Sequence, residues 1–502
     1  MSDRALLLGA DIGTTAAKAG LFDLAGNPLA LADSGYAIER PQPDWAEQDP
    51  RVWWQAFVDV VDALGAEADL SRVRAVGICS QVNTHVFVDA DGADLAPAIV
   101  WQDQRAAEDA SALTAQLAKN GGAPEEGLDA SALVARASWM QRHRSDVWEA
   151  TRWILSPKDY LNRRLTGRIA TDIISPIGLV RADHRYDERV VDLVPGLRER
   201  LPPLRRFTDA LAGVKANETR LPEEAKVVVA TMDAWANLYG SGVVEPGQAM
   251  EVAGTSEIIG VLSDRSEPTP GVVSFFPIDG TYLHAGPTQA GGDALRWFAN
   301  VHALELETVL AHAATASPGS LGLIFLPYLA GERAPLWDTE ARGVLFGLSS
   351  DHSVAHEARA VLEGVAFSAR HLLEILERAA GLYVDALASS GGGARSDLWC
   401  QIKANVLNRE IRRLRVLHSG VLGAGLIAAA GTGLVADLQQ AAAAAVHVAD
   451  VFRPEPEQVT LYDHLYRVYR DLYPALKPAY RDLSGFRLAF ANPHEKGTQD
   501  VW

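Results

Sequence analysis

Residues Gly9-Ala10-Asp11-Ile12-Gly13-Thr14-Thr15 close an apolar run near the start of the chain. A glycine-rich turn after such a run commonly cradles phosphate with its backbone N–H groups, yet here an aspartate interrupts it. Two familiar phosphate loops fail on the residues. A P-loop needs Lys-Ser/Thr directly after its last glycine, whereas Gly13 is followed by Thr14 and Thr15. The dinucleotide fingerprint needs a G-x-G-x-x-G spacing that Gly9 and Gly13 do not supply. Both loops also run into a helix, but Ala16–Leu24 reads as a second strand ending in the turn Ala25-Gly26-Asn27-Pro28. The unit is a β-hairpin with a Gly-Thr-Thr tip. One reading gives it backbone N–H groups and two hydroxyls for a phosphate, with Asp11 for a cation. The other is an ordinary hairpin whose Asp and Thr side chains only satisfy the turn, and the stretch alone leaves both open.

At 502 residues the chain exceeds the size at which a single core keeps growing, which predicts two or more domains. Its 48% hydrophobic and 22% charged residues are those of a globular protein. A net charge of −18 argues against nucleic acid and anionic membrane surfaces as main partners, but not against a small anion held with a metal. The two cysteines, Cys79 and Cys400, are too few for a disulfide framework or a zinc cluster and read as buried small hydrophobes. With no signal pattern and no apolar run of membrane-spanning length, a cytoplasmic protein is expected.

Short apolar runs read as strands at Ala5–Gly9, Val73–Ile78, Val86–Val88, Lys226–Ala230, Ala249–Val252 and Leu323–Phe325. Helical periodicity lies between them, in Arg51–Leu64, Asp103–Lys119 and Val354–Ala380. Strands alternating with helices predict an α/β protein. The first hairpin has an echo at Val252-Ala253-Gly254-Thr255-Ser256, again a strand entering a Gly-Thr-Ser turn. Two halves that each open with such a hairpin would meet near Val243–Gly247, where VVEPGQ supplies Pro and Gly. The expected domains are therefore residues 1–245 and 246–455, followed by a helical and tail segment, 456–502.

Taken in order, further segments carry a resemblance. They are DWAEQDPRVWWQA (Asp44–Ala56), IVWQDQRA (Ile99–Ala106), SPKDYLNRRLTG (Ser156–Gly167) and MDAWANLYGSG (Met232–Gly242). The second half adds VAGTSEIIG (Val252–Gly260), LPYLAGERAPLWDTEARGVLFGLS (Leu326–Ser349), SSGGGARSDLWCQIKANVLNREI (Ser389–Ile411) and VLGAGLIAAAGTG (Val421–Gly433). With the first hairpin, they make the chain resemble the FGGY family of carbohydrate kinases. The resemblance implies two ribonuclease-H-like domains of the actin-like ATPase superfamily, with an ATP and sugar cleft between them.

The same resemblance implies ATP and Mg²⁺ as cofactors and a small sugar as substrate, with a homodimer as the family's common habit. It gives the metal to Asp11 and Asp233, and the transferred phosphate to Gly13, Thr14 and Thr15, with Lys18 a looser candidate. Asp233, after the strand Lys226–Ala230, is the implied base for the sugar hydroxyl. The alternative is a helix cap for the segment starting at Ala234. Gly254, Thr255 and Ser256 become the second phosphate loop. Gly392, Gly393 and Ala394 become the adenosine segment, with Asn405 where related sequences commonly carry aspartate. The acceptor pocket is expected from Asn83, His85, Trp101, Asp103 and Trp235, and Arg105 is read as an ion-pair partner. Gln48, Asp49, Trp53 and Trp54 read as scaffold around the mouth of that pocket. Val82 and Asn83 stand where glycerol kinases carry Arg-Glu and xylulokinases usually carry Met-His, so glycerol is disfavoured and a ketose retained. If Asn83 and His85 sit on one strand, alternation puts them on one face. Length and motif detail lean towards the xylulokinase branch, with gluconate or another ketose or polyol as the alternative. A non-catalytic sugar or nucleotide sensor and an actin-like assembly ATPase are the readings of other classes. Retention of Asp11, Asp233 and both hairpins stands against the first of these, and the WQDQR and AEQDP segments against the second.

Overall fold

The computed structural model describes residues 5–119, 127–215 and 219–490. Two compact units form: Met1–Val244 with His418–His447, and Glu245–Leu417 with Val448–Trp502.

In the first unit, the strands β1 (Leu6–Ile12), β2 (Ala16–Phe22), β3 (Pro28–Gly35), β4 (Val73–Ser80), β5 (Ala210–Gly213) and β6 (Lys226–Val228) form one sheet. Their order is β5-β6-β4-β1-β2-β3. The hairpin β1–β2 is antiparallel, and β4 and β6 add to it in parallel. β1 is central, and its continuous apolar run is that of a strand covered on both faces. Leu6, Leu8, Ala10 and Ile12 join the cluster that includes Trp53, Phe57, Val60 and Leu64 of the helix Pro50–Glu67. That helix starts at Pro50 with the Asp49 side chain accepting from Arg51 N–H. By alternation Leu7, Gly9 and Asp11 belong to the opposite face.

The helix Ser419–Gly431 packs against that opposite face, which explains why a late segment joins the first unit. Its small residues let backbones touch. A Cβ on Gly423 would lie 1.8 Å from Ala236 O, and one on Gly240 would lie 1.8 Å from Ser419 O. Gly423 thus seats the helix Asp233–Gly240, which begins with the proposed base. Gly423→Ala is expected to cost about 1–3 kcal/mol through overpacking, read as an earlier urea midpoint of the first unfolding transition. An unchanged midpoint would mean that the two helices separate freely.

The second unit repeats the plan with β7 (Ala249–Ala253), β8 (Glu257–Ser263), β9 (Val273–Ser274), β10 (Tyr282–Pro287), β11 (Ala386–Ser390), β12 (Glu410–Leu414) and β13 (Val448–Phe452). The order is β9-β10-β8-β7-β11-β12-β13, with β7–β8 an antiparallel hairpin and β11 and β12 added in parallel. The buried 27-residue helix Val354–Ala380 crosses this unit. The helix Pro456–Phe490 packs onto it by Tyr462, Tyr466 and Tyr469 around Phe367.

The contiguous division expected from the sequence differs from these units in two places. Residues 418–447 return to the first unit, and the aromatic helix after residue 455 is part of the second unit's core. The polar end Asn492–Trp502 lies outside the described residues. The helix expected from Asp103 begins at Ala107, because Asp103–Arg105 form a turn. Among the described residues no helix is long and apolar enough to cross a membrane.

Candidate active site

The hairpin reading of the opening stretch holds. Ile12 pairs with Ala17, and Gly13 N–H donates to Ala16 C=O at 3.0 Å, so Gly13–Thr15 lie at the tip. The tip is tethered from below. Tyr36 O–H donates to Gly13 C=O at 2.7 Å, Gln48 Nε2 to Thr14 C=O at 2.8 Å, and Trp101 Nε1 to Thr14 Oγ1 at 3.0 Å. Asp11 pairs across the hairpin with Lys18 and in parallel register with Cys79 of β4. Direct cross-strand partners share a face, so Lys18 stays on Asp11's side, although it is exposed.

Asp11 Oδ1 is buried without a hydrogen-bond partner. Burial raises its carboxyl above the ordinary carboxylate range, with Lys18 and the Cys79 thiol partly offsetting that. Cys79 in turn is pushed well up by burial and by the charges of both Asp11 and Asp233. Asp233 opens the helix Asp233–Gly240, and its Oδ1 accepts from Ala234 N–H at 2.7 Å. Met232, not Asp233, occupies the cap position. Met232 bridges in parallel to Ser80, which places Asp233 at the same C-terminal sheet edge as Asp11.

Among the described residues no group of three or more His, Cys, Asp or Glu side chains forms a metal cage. Mg²⁺ does not need one, since it takes one or two carboxylates beside phosphate and water. An orphaned, desolvated Asp11 oxygen, with the Asp233 carboxylate at the same sheet edge, fits that requirement.

Beside this edge lies a recess with about 450 Å³ of atom-free space, including its open mouth. It is narrow: room for the centre of a water molecule amounts to about 30 Å³. Gln81, Asn83, His85, Ser156, Asp159 and Ser175 supply polar walls, while Leu133, Ile154, Tyr186 and Met232 supply apolar ones. Asn83 and His85 both reach it, but not by strand alternation. Asn83 has φ of 50° and sits in a bend before the strand Val86–Val88. Its Nδ2 donates to Ser131 Oγ at 2.9 Å and its carbonyl accepts from Arg136. Burial and the Arg136 guanidinium, 3.1 Å from Nδ1, hold His85 well below the usual histidine range, so it is neutral.

Three sequence expectations change here. Asp103 is fully buried, and its oxygens accept from Arg105 and from Ala46 N–H, so it shapes the turn behind the hairpin instead of facing a sugar. Arg105 is the ion-pair residue expected, joining Asp103 to Glu47 and lying 3.6 Å over Trp45. Trp235 is core, 1% exposed and packed near Tyr239. Trp101 bonds to the hairpin tip and is not a recess wall.

In the second unit, Gly254–Ser256 form the tip of β7–β8, with Gly254 N–H donating to Ser256 C=O at 2.9 Å. Arg296 donates to Thr255 Oγ1 at 2.8 Å, and the helix Gly292–Val301 starts against the tip. Gly391 has φ of 84°, and a Cβ there would meet Ala253 O at 2.5 Å. The glycine run is therefore shaped by its approach to β7, whereas Gly392 borders open space and Ala394 is buried. Asn405 is not open to a nucleotide. It is 1% exposed, its Oδ1 accepts from Gln401 Nε2 and Glu455 N–H, and its Nδ2 donates to Gln458. An aspartate could not make that last bond, which accounts for asparagine here.

Two buried charge clusters went unread in the sequence. Lys158 is paired with Asp159 at 2.6 Å and Asp172 at 3.0 Å, and Asp172 Oδ2 accepts from Thr231 Oγ1 at 2.8 Å, two residues before Asp233. Burial opposes the Lys158 charge, but the two aspartates outweigh it and raise its pKa. Under the second hairpin, Lys403 bonds both Glu251 and Glu257. For the second cluster the available signal was a charged residue in each of two otherwise apolar strands, Glu251 and Glu257, because buried charges must pair.

Two mixed sheets, each led by an antiparallel hairpin with parallel strands added, define an actin-like ATPase fold. A sequence profile described as "FGGY family of carbohydrate kinases, N-terminal domain" matches residues 6–240, and its C-terminal counterpart matches residues 249–432. A xylulose kinase of Lactococcus lactis subsp. lactis (strain IL1403) is 31% identical over 481 residues, 93% of this chain and 96% of that protein. Among solved structures, a ligand-bound xylulose kinase from Lactobacillus acidophilus matches with a TM-score of 0.85 at 26% identity, covering 95% and 100% of the two chains. A gluconate kinase from the same organism matches with a TM-score of 0.84 at 27% identity, covering 95% and 99%. The chain belongs to the FGGY family of carbohydrate kinases, phosphotransferases that use ATP and an alcohol group as acceptor.

Proposed function

We propose that this kinase transfers the γ-phosphoryl group of ATP to a hydroxyl of an open-chain pentulose, with D-xylulose as the leading acceptor and Asp233 as the base. The observation that carries this reading is the placement of Asp11 and Asp233 at a single C-terminal sheet edge, beside the Gly-Thr-Thr tip and the narrow recess. A sugar hydroxyl becomes a competent nucleophile as a positioned carboxylate takes its proton, and Asp233 fills that role. The N–H groups and hydroxyls of Thr14 and Thr15 receive the phosphoryl group, Gly13 N–H being held by Ala16 C=O. In the second unit, Gly254–Ser256 receive the phosphates of ATP, and Gly391–Ala394 border its adenosine. Asp11 and Asp233 would hold Mg²⁺, which supplies charge neutralisation on phosphate oxygens.

The narrowness of the recess supports a thin, extended polyol chain. Asn83 and neutral His85 offer donors and acceptors without the charged clamp that glycerol kinases carry. Identity to the Lactococcus xylulose kinase supports xylulose, and similarity to the gluconate kinase supports gluconate as the second reading. A panel of pentuloses, hexuloses, polyols and aldonates assayed for sugar-dependent ADP release decides between them. The expected outcome is the highest kcat/KM with D-xylulose. Turnover of gluconate with none of the pentuloses would move the assignment to the aldonate. ATP binding without ADP release from any acceptor would leave a sensor.

A further inference from the structure

We propose that Gln81 is a sugar-contacting residue, and that Gln48 is a positioning residue linking it to the phosphate hairpin. The proposal rests on the sugar-kinase reading above. Gln81 follows β4, where its N–H donates to Ile12 C=O at 2.9 Å and so fixes it to the end of β1. It is 3% exposed and lines the recess. Its Nε2 donates to Gln48 Oε1 at 3.2 Å, while its Oε1 is buried with no partner. A buried amide oxygen without a donor is costly, and a hydroxyl entering the recess is the donor it lacks. Ser175 Oγ, on the loop after Asp172, is the other recess atom buried without a partner.

Gln48 fixes which way the amides point. It is 1% exposed, and its Oε1 accepts from Trp53 Nε1 at 3.1 Å as well as from Gln81. Its Nε2 donates to Thr14 C=O at 2.8 Å and to Ala37 C=O at 3.1 Å. Turning this amide over would set its oxygen against two carbonyl oxygens and its nitrogen against an indole N–H. Gln81 must then offer its nitrogen to Gln48 and its oxygen to the recess. A sugar hydroxyl, Gln81, Gln48 and the Thr14 carbonyl form a series in which every donor points the same way, so each bond polarises the next. Occupancy of the recess is thereby coupled to the tip that receives the phosphoryl group, through two neutral side chains.

The test uses the full chain and D-xylulose, or whichever acceptor the panel selects. Gln81→Leu keeps the volume and removes the acceptor. Its sugar Kd, from calorimetric titration without nucleotide, is expected to rise about 10-fold or more, with the ATP KM within about twofold and the melting temperature not lowered. Gln48→Met is expected to lower kcat about 10-fold with a smaller rise in sugar KM, and the double variant should fall short of the product of the single effects. A sugar Kd within about twofold of the unaltered protein in Gln81→Leu would overturn the contact. Additive single effects, or equal losses in kcat and ATP KM for Gln48→Met, would overturn the link. Should Gln81→Leu not fold, Gln81→Asn shortens the same amide and is read by the same titration. An unaltered protein that neither binds nor phosphorylates any acceptor overturns the sugar site itself, a different failure from an active enzyme indifferent to Gln81.

Discussion

Asp233→Asn is expected to lower kcat by about 10²–10⁴, the range that general-base catalysis supplies, while leaving the fold and sugar binding in place. The substitution is nearly isosteric, and the asparagine Oδ1 can still accept from Ala234 N–H, the 2.7 Å bond that seats the side chain at the start of its helix. What it cannot do is take a proton. It also removes one of the two carboxylates given to Mg²⁺, so a rise in the KM for Mg·ATP is expected alongside the loss in kcat. Isothermal titration with the sugar alone separates the two effects, because sugar binding without nucleotide involves neither proton transfer nor metal. Near-normal turnover at saturating sugar would remove Asp233 from the role of base. A collapse of the melting temperature would instead mean that its bond to the helix start matters more than its chemistry. The buried Lys158–Asp172–Thr231 series gives that turn its own support, so no such collapse is expected.

Both hairpins were legible because their information is local. A glycine followed by two hydroxyl residues between apolar strands defines the tip whatever surrounds it. The recess was only partly legible, and the reason is visible residue by residue. Asn83 and His85 were reached by assuming a continuous strand, but Asn83 sits at positive φ in a bend, so the right residues came from the wrong geometry. Asp103 and Asn405 carry the side chains of binding residues, yet each is saturated by a near neighbour, Arg105 or Gln401, together with partners far along the chain, at Ala46 and at Glu455 and Gln458. One sequence without its contacts cannot tell a carboxylate open to ligand from one saturated by an arginine two residues away. The same distance hid the return of Ser419–Gly431 to the first sheet, since its apolar, small-residue pattern reads as a packed helix but not as a helix packed on β1 and β4. Gln81 escaped notice because glutamine beside a strand end is ordinary. Only its missing hydrogen bond distinguishes it.

Lys403→Met is expected to destabilise the protein by about 3–5 kcal/mol at pH 8, the usual consequence of leaving buried charge without its partner. Glu251 on β7 and Glu257 on β8 flank the Gly254–Ser256 tip diagonally on one face, and Lys403 from the helix Asp397–Leu407 bonds both. Burial works against all three charges. Lys403 overcomes it at Glu251, holding that carboxyl down to about 2 with help from Ser389, but not at Glu257, which burial and the neighbouring Glu251 push well above the usual range. In the unaltered protein the two acids therefore act in opposite directions. Glu251 contributes stability above its unfolded pKa of about 4.3 and loses it as pH falls through about 2. Glu257 contributes below about 4.3 and loses its share as pH rises through its folded value. Without the ammonium only the Ser389 hydroxyl offsets burial, and only at Glu251, so both carboxyls shift upward and the balance favours acid. The variant's deficit should thus be largest at pH 8 and shrink at pH 5, where protonation relieves it. Urea denaturation of both proteins at the two pH values measures this. A deficit under about 1 kcal/mol, or one that does not narrow on acidification, would show that the triad is already discharged or solvated. Because the two glutamates hold the strands of the second hairpin, the variant should also raise the KM for ATP more than that for the sugar. An equal effect on both substrates would detach the triad from the nucleotide side.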